Sequence, residues 1–305
     1  MCGFCGTIYE FPKTRSKLNY YNLDKEISYI SKTKFEINEF INFVNQLKSD
    51  EYFFDYHTKK KKALDLRKKI IALIYIYQKK VNLEEKALLK NSLFFLDVEL
   101  KDTSNFINKY KSKIAGNKFN SIIFLKVIYS IILSINYLEI RGRDSLGLAL
   151  NISVSDTNIK FNKFKSDKSQ YLNINKNNTY LSSLFVFKTF NEIGYLGENS
   201  KKIIDKLFSQ NFFWELLNKQ ILKFSIIMHT RWASVGKINY ENTHPIYFND
   251  KKNNKDFISV NGDIFNYQKF INNSYKDFTD AFALNFILKD KKNIFEESTI
   301  DKIKK

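Results

Sequence analysis

Residues 224–234 read FSIIMHTRWAS, and the fold is read outward from this stretch. Phe224, Ile226, Ile227 and Met228 form a short apolar run with no turn signal, which reads as a buried strand. The run passes directly into His229, Thr230, Arg231 and Trp232. Downstream, Asn242-Thr243-His244-Pro245 is followed by a second short strand pattern over residues 257–260 and then by Val260-Asn261-Gly262-Asp263-Ile264-Phe265-Asn266-Tyr267. Residues 278–288 read as a helix that begins at Asp280, just after Thr279. Upstream, residues 141–153 switch to a strand pattern after Arg141-Gly142, within Arg141-Gly142-Arg143-Asp144-Ser145-Leu146-Gly147-Leu148-Ala149. Residues 1–10 read as a further strand, opening Met1-Cys2-Gly3-Phe4-Cys5-Gly6. The chain has only nine glycines, and eight of them fall in a few short segments: 3, 6, 142, 147, 194, 197, 236 and 262. Glycine marks positive φ or close backbone approach, so the chemistry is expected where they cluster.

The rest of the chain is of another character. Residues 16–139 are largely helical by apolar spacing, most clearly over 36–47, 59–81, 83–100 and 120–138. Residues 154–182 are polar and rich in Asn and Lys, a loop or hairpin excursion, and residues 201–222 read as one amphipathic helix. The net charge is +18, mostly from lysines interleaved with acids. With no zinc finger, basic-aromatic stacking motif or other nucleic-acid module, that charge reads as solubility and compositional drift, not nucleic-acid binding. Two cysteines, Cys2 and Cys5, give no disulfide framework, so a reducing, cytoplasmic setting is expected. The first residues lack the basic start and apolar run of a signal peptide.

Cys2 has a reading of its own. Removal of Met1 would leave a thiol and a free α-amine on one residue. Such an amine titrates at about 7.7–8.0, so it can serve as the base for its own thiol. Taken alone, Cys2 reads more readily as an inert, buried cysteine after the start methionine. Cys2 and Cys5 also form C-x-x-C. A redox motif of that kind follows a strand, however, and a zinc site needs two further ligands that His57, His229 and His244 do not supply at finger spacing. No metal and no cofactor is expected.

Six segments, in order, resemble the class II glutamine amidotransferases, whose nucleophile is an N-terminal cysteine. These are residues 1–6, 141–149, 229–234, 242–245, 260–267 and 279–280, against the family's Met-Cys-Gly-Ile-x-Gly, Arg-Gly-Tyr-Asp-Ser-Ala-Gly, His-Thr-Arg-Trp-Ala-Thr, Asn-Ala-His-Pro, His-Asn-Gly-Ile-Ile-Glu-Asn and Thr-Asp-Thr-Glu. The resemblance implies an α+β fold, the four-layer αββα N-terminal-nucleophile hydrolase sandwich. It implies hydrolysis of glutamine to glutamate and ammonia. Cys2 would be the nucleophile, with the Asn261 amide and Gly262 N–H forming the oxyanion hole. Arg231 would hold the glutamine α-carboxylate and Asp280 its α-ammonium, with Trp232 and Ser234 lining the pocket. Each has a plainer alternative: a surface arginine, an Asn-Gly turn, a helix N-cap aspartate. His229 and His244 read as structural, and Asp144 and Ser145 as bracing the strand entry. The details of 141–149 and 229–234 favour the hexosamine-forming branch, in which ammonia passes to fructose 6-phosphate to form glucosamine 6-phosphate. Other branches, making phosphoribosylamine or asparagine, and a catalytically silent docking module are the alternatives.

The chain departs from the family in three ways. Residues 16–139 form a helical insertion within an amidotransferase domain spanning 1–305, and residues 151–190 hold a second excursion. Arg143 replaces a Tyr, and Val235 replaces a His. The chain stops at Lys305, before the family's final strands and its sugar-isomerase half, so the acceptor domain or partner chain is expected elsewhere. Residues 121–138 are long and apolar enough to span a membrane, but a span would separate Cys2 from Arg231. They are therefore read as a buried helix, and no membrane partner is expected.

Overall fold

The computed structural model describes residues 2–12, 42, 45, 48–77, 82–116, 118–159, 169–191, 195–233, 236–249, 255–271 and 277–288. Most of the expected helix at 36–47 lies outside them, as do Ser234, Val235 and residues 289–305. The chain divides into two compact units, residues 1–11 with 131–305, and residues 12–130. The second unit covers most of the stretch expected as a helical insertion, residues 16–139.

The first unit is built on a five-stranded antiparallel sheet in the order β1-β5-β2-β4-β3. The strands are β1 (Gly3–Glu10), β2 (Ser145–Val154), β3 (Gln170–Lys176), β4 (Leu181–Phe190) and β5 (Ile221–Arg231). The apolar run read first is the middle of β5, which pairs with β1 on one side and β2 on the other. Its N-terminal half buries Ile221, Phe224 and Ile226 on one face, while on the other Ser225 and Ile227 are half-buried and Lys223 is exposed. At its C-terminal end every residue from Met228 to Arg231 is buried, polar ones included. Strand side chains alternate between faces. Ile226, Leu150 and Phe185 therefore share the apolar face with Met228, Leu148 and Phe187, whereas His229, Gly147 and Lys188 line up across the other.

The helices α6 (Glu198–Phe208) and α7 (Asn211–Leu217) cover the apolar face, with Phe213 in ring contact with Phe185. One helix was expected over 201–222. Instead Ser209 Oγ and Gln210 Nε2 both bond Lys206 O, and Trp214 Nε1 donates to Phe208 O at 2.7 Å. These side chains satisfy the final carbonyls of α6 and turn the chain, a corner that apolar periodicity does not register. Upstream, the buried Glu139 receives Gly197 N–H and Ser200 N–H, at 2.5 and 3.0 Å, and so caps the start of α6.

On the opposite face lies a two-stranded ribbon, β6 (Ile246–Asn249) with β7 (Lys255–Ile258). Phe257 of β7 meets Tyr171 of β3 at 5.3 Å. Beyond the ribbon, a 3-10 turn at Asp280–Ala283 leads into α8 (Leu284–Leu288), whose Leu284, Ile287 and Leu288 pack against Ile258, Val260, Ile264 and Phe270. The first unit is therefore a mixed α+β structure, with helices on one face of an antiparallel sheet and a ribbon and helix on the other.

The second unit contributes no strand to either sheet among its described residues. It contains α1 (Asp50–Thr58), α2 (Lys60–Tyr77), α3 (Leu83–Phe94) and α4 (Lys101–Lys109), with a π-helical stretch at Phe95–Leu100 between the last two. Asn82 and Glu85 form a reciprocal capping box at the start of α3. The helix α5 (Phe119–Leu138) is long and apolar enough to cross a membrane. It runs from the second unit into the first, and its Ile122, Ile123, Phe124, Leu125, Ile128 and Ile135 are buried while Leu133 and Tyr137 are exposed.

Candidate active site

The site is assembled at the end of β5. Gly3 pairs with Thr230, so Cys2 follows at the same end of the sheet as Arg231. The Thr230 hydroxyl accepts the Gly3 N–H at 3.0 Å and pins this junction. The Cys2 sulfur lies 4.0 Å from Trp232 O and is half-buried. Cys5, by contrast, points to the helical side, near Ile131 O, and burial pushes its thiol up to about 11. The two cysteines are thus distinct, and a high pKa makes Cys5 a poor nucleophile.

Arg231 is 3% exposed. Burial lowers its pKa, while Cys2, Asp144 and Asp280 act in the opposite direction through their charges. The guanidinium is thus buried with acidic groups acting on it. Asp144 also accepts Ala233 N–H at 2.6 Å and donates its own N–H to Arg231 O, so it braces both sides of the Arg231-Trp232 turn.

Asp280 is buried too. Its carboxylate accepts Ile264 N–H at 2.6 Å on one oxygen and the Thr279 hydroxyl at 3.0 Å on the other. A carboxylate has about four acceptor positions, so it retains capacity for an incoming ammonium. Asn242 ties this segment to the turn after β5. Its amide donates to Lys237 O and Asp277 O, and its oxygen accepts Thr279 N–H, all between 2.8 and 2.9 Å. Lys237 O in turn receives Arg231 Nη1 at 3.4 Å. One buried asparagine thus links the neighbourhoods of Arg231 and Asp280.

Asn261 and Gly262 are exposed, on the loop that follows β7. Gly262 has φ +154 and nothing within 4 Å of the place a Cβ would occupy, which leaves its backbone approachable. The loop is fixed by its neighbours. His229 Nε2 bonds Val260 O at 2.9 Å, Val260 N–H bonds His244 Nδ1 at 3.2 Å, and the two rings stack at 4.3 Å. His244 lies where it does because Gly147 has no side chain: a Cβ there would sit 1.7 Å from His244 O.

Of the expected site residues, Cys2 and Asp280 lie close enough to Arg231 for their charges to act on it, and Trp232 follows Arg231 in the chain, about half-exposed. Asn261 and Gly262 sit on the segment that Asp280 holds through Ile264. Ser234 lies outside the described residues. Sequence reasoning left Asn242 without a role and missed Lys188 of β4, a buried amine that donates to Tyr240 O at 3.1 Å. Burial lowers its pKa to about 7, with Glu241 partly opposing. A lysine directly after the apolar run Leu184-Phe185-Val186-Phe187, and before Phe190, was the available signal. Among the described residues no group of acidic, histidine and cysteine side chains could hold a metal ion. Comparison of the chain with family models, with curated proteins and with solved structures gave no match.

Proposed function

We propose that the chain hydrolyses glutamine to glutamate and ammonia at Cys2, as a glutamine amidotransferase of the N-terminal-nucleophile type. The observation that carries this reading is the buried Arg231 guanidinium with Cys2 and Asp280 around it. Arginine offers a planar fork for the substrate α-carboxylate, Asp280 offers a carboxylate for its α-ammonium, and the Cys2 thiol would meet the γ-amide. With Met1 removed, the Cys2 amine takes the thiol proton and the sulfur attacks the amide carbon. The Asn261 amide and the Gly262 N–H stabilise the resulting oxyanion. The amine returns the proton to the departing nitrogen, ammonia leaves, and a thioester remains. Water cleaves that thioester to glutamate and restores the thiol.

The layer order supports the four-layer αββα sandwich that such enzymes have: α6 and α7, the five-stranded sheet, the β6–β7 ribbon, then α8. The ammonia acceptor follows from the resemblance, as fructose 6-phosphate converted to glucosamine 6-phosphate on a sugar-isomerase domain or chain outside these residues. Glutamate release from protein lacking Met1 tests the reading. Cys2→Ala is expected to abolish it, and so is an N-terminal extension left in place. Full activity in the extended protein contradicts the self-base step. No release at all, even with an acceptor chain present, favours a binding module that has kept the arrangement without the reaction.

A further inference from the structure

Val260 immediately precedes Asn261 and Gly262, and both of its backbone polar groups are held by imidazoles. The contact with a carbonyl at 2.9 Å requires a proton on His229 Nε2. The contact with an N–H at 3.2 Å requires a bare Nδ1 on His244. The His244 ring is therefore neutral, with its proton on Nε2, while the His229 bond needs only a proton on Nε2. Among the described residues His229 Nδ1 is buried without a hydrogen-bond partner, so Val260 is the ring's one hydrogen-bond attachment there. His244 is seated by its own carbonyl against Gly147. The two histidines arise from segments well separated in sequence, yet they stack and act on one peptide unit on each side of a single residue.

We propose that His229 and His244 are positioning residues that set the Asn261-Gly262 segment by clamping the N–H and C=O of Val260, with His244 the proton-sensitive half. This inference rests on the oxyanion role given to Asn261 and Gly262 above. The two halves differ in how they respond to a proton. Protonating His229 leaves its Nε2–H bond to Val260 O intact. Protonating His244 places an N–H at Nδ1 against the Val260 N–H, so the bond is lost. The surroundings hold His244 neutral. Burial lowers its pKa well below 6.5, and the charges facing it, from His229 and Arg231 on β5 and Lys188 on β4, act in the same direction. Burial likewise lowers His229 to about 4, with Arg231 contributing, against the Val260 bond that raises it. The sign follows. Each folded-state pKa lies below that of free histidine, about 6.5, so the unfolded chain takes up protons first. Stability is complete above about 6.5 and declines as the pH falls below it.

Asparagine and glutamine imitate single imidazole nitrogens without titrating, which allows a rescue test. Amide exchange at Val260 reports the clamp directly, and steady-state glutamine hydrolysis reports its consequence. His244→Ala is expected to expose the Val260 amide and lower kcat about 100-fold, the usual loss for one oxyanion donor, with KM changed less than about threefold because Arg231 and Asp280 still hold the substrate ends. His244→Asn keeps an acceptor near the Nδ1 position. It is expected to restore Val260 protection and most of kcat, and to remove part of the stability loss below pH 6.5. Equal Val260 protection in parent and His244→Ala overturns the proposal, as does a His244→Asn protein no better than His244→Ala. Should His244→Ala not fold, His244→Asn against the parent decides: lost Val260 protection, or an unchanged acid decline, overturns it. If the parent itself releases no glutamate, the hydrolase reading fails, and Val260 protection alone judges the clamp.

Discussion

At the residue scale, the chain concentrates buried polar groups at one end of β5. His229, Thr230 and Arg231 are each at most 3% exposed, and each has a structural task the local sequence hardly announces. Thr230 pins the first residues of β1, His229 holds Val260, and Arg231 gathers acidic groups. Arginine is the informative residue type here, because lysine would bring a point charge without the fork. Arg231→Lys is expected to raise KM for glutamine roughly 10–100-fold, about 1.4–2.7 kcal/mol, with a smaller change in kcat. Substrate-saturation kinetics check this, and an unchanged KM would remove Arg231 from the binding role. The nearness of Cys2 and Asp280 to Arg231 is what their motifs led one to expect. Asn242 was visible only as part of a motif, because an asparagine's role as a three-way bridge depends on which backbone it meets in space.

At the element scale, long apolar patterns were read well and short ones poorly. Helices α2 and α5 and the middle of β5 lie close to where their periodicity puts them. β3 lies within the stretch 154–182, read as a loop or hairpin excursion, and pairs with β4, which lies mostly beyond it and was given no element, while the helix expected over 201–222 is two helices and the start of β5. Both errors have one cause: the deciding interactions, strand pairing with β2 and the Trp214 bond to Phe208 O, are not local. β4 also carries Lys188, whose amine is buried on the face that receives the Tyr240 and His244 segment. Its pKa of about 7 lies below the ordinary 10.5, so the unfolded chain holds its proton more tightly than the folded one. The resulting cost is full below pH 7 and is relieved as the pH rises from 7 towards 10.5. Lys188→Met removes the titrating group and is expected to flatten that rise. Melting temperatures of parent and variant across this window check it, and an identical slope in both would show that Lys188 is not desolvated.

At the scale of the whole molecule, the first unit contains every described site residue, and the unit of residues 12–130 is separate and adds no described strand. A large excursion between β1 and β2 is therefore compatible with the antiparallel order, since the sheet is closed by pairing of β1 with β5 rather than with its sequence neighbour. The insertion was legible as helical from its spacing. Its edges were not, because α5 is one continuous apolar helix with the division between the units inside it. The central claim is that Cys2 is a nucleophile presented to glutamine, and it distinguishes two thiols in one chain. A diazoketone analogue of glutamine, followed by peptide mass mapping, tests it most directly. The account predicts an adduct confined to Cys2, slowed by excess glutamine and absent from Arg231→Ala. Labelling of Cys5 to the same extent, or a Cys2 that stays unmodified in protein freed of Met1, would contradict it.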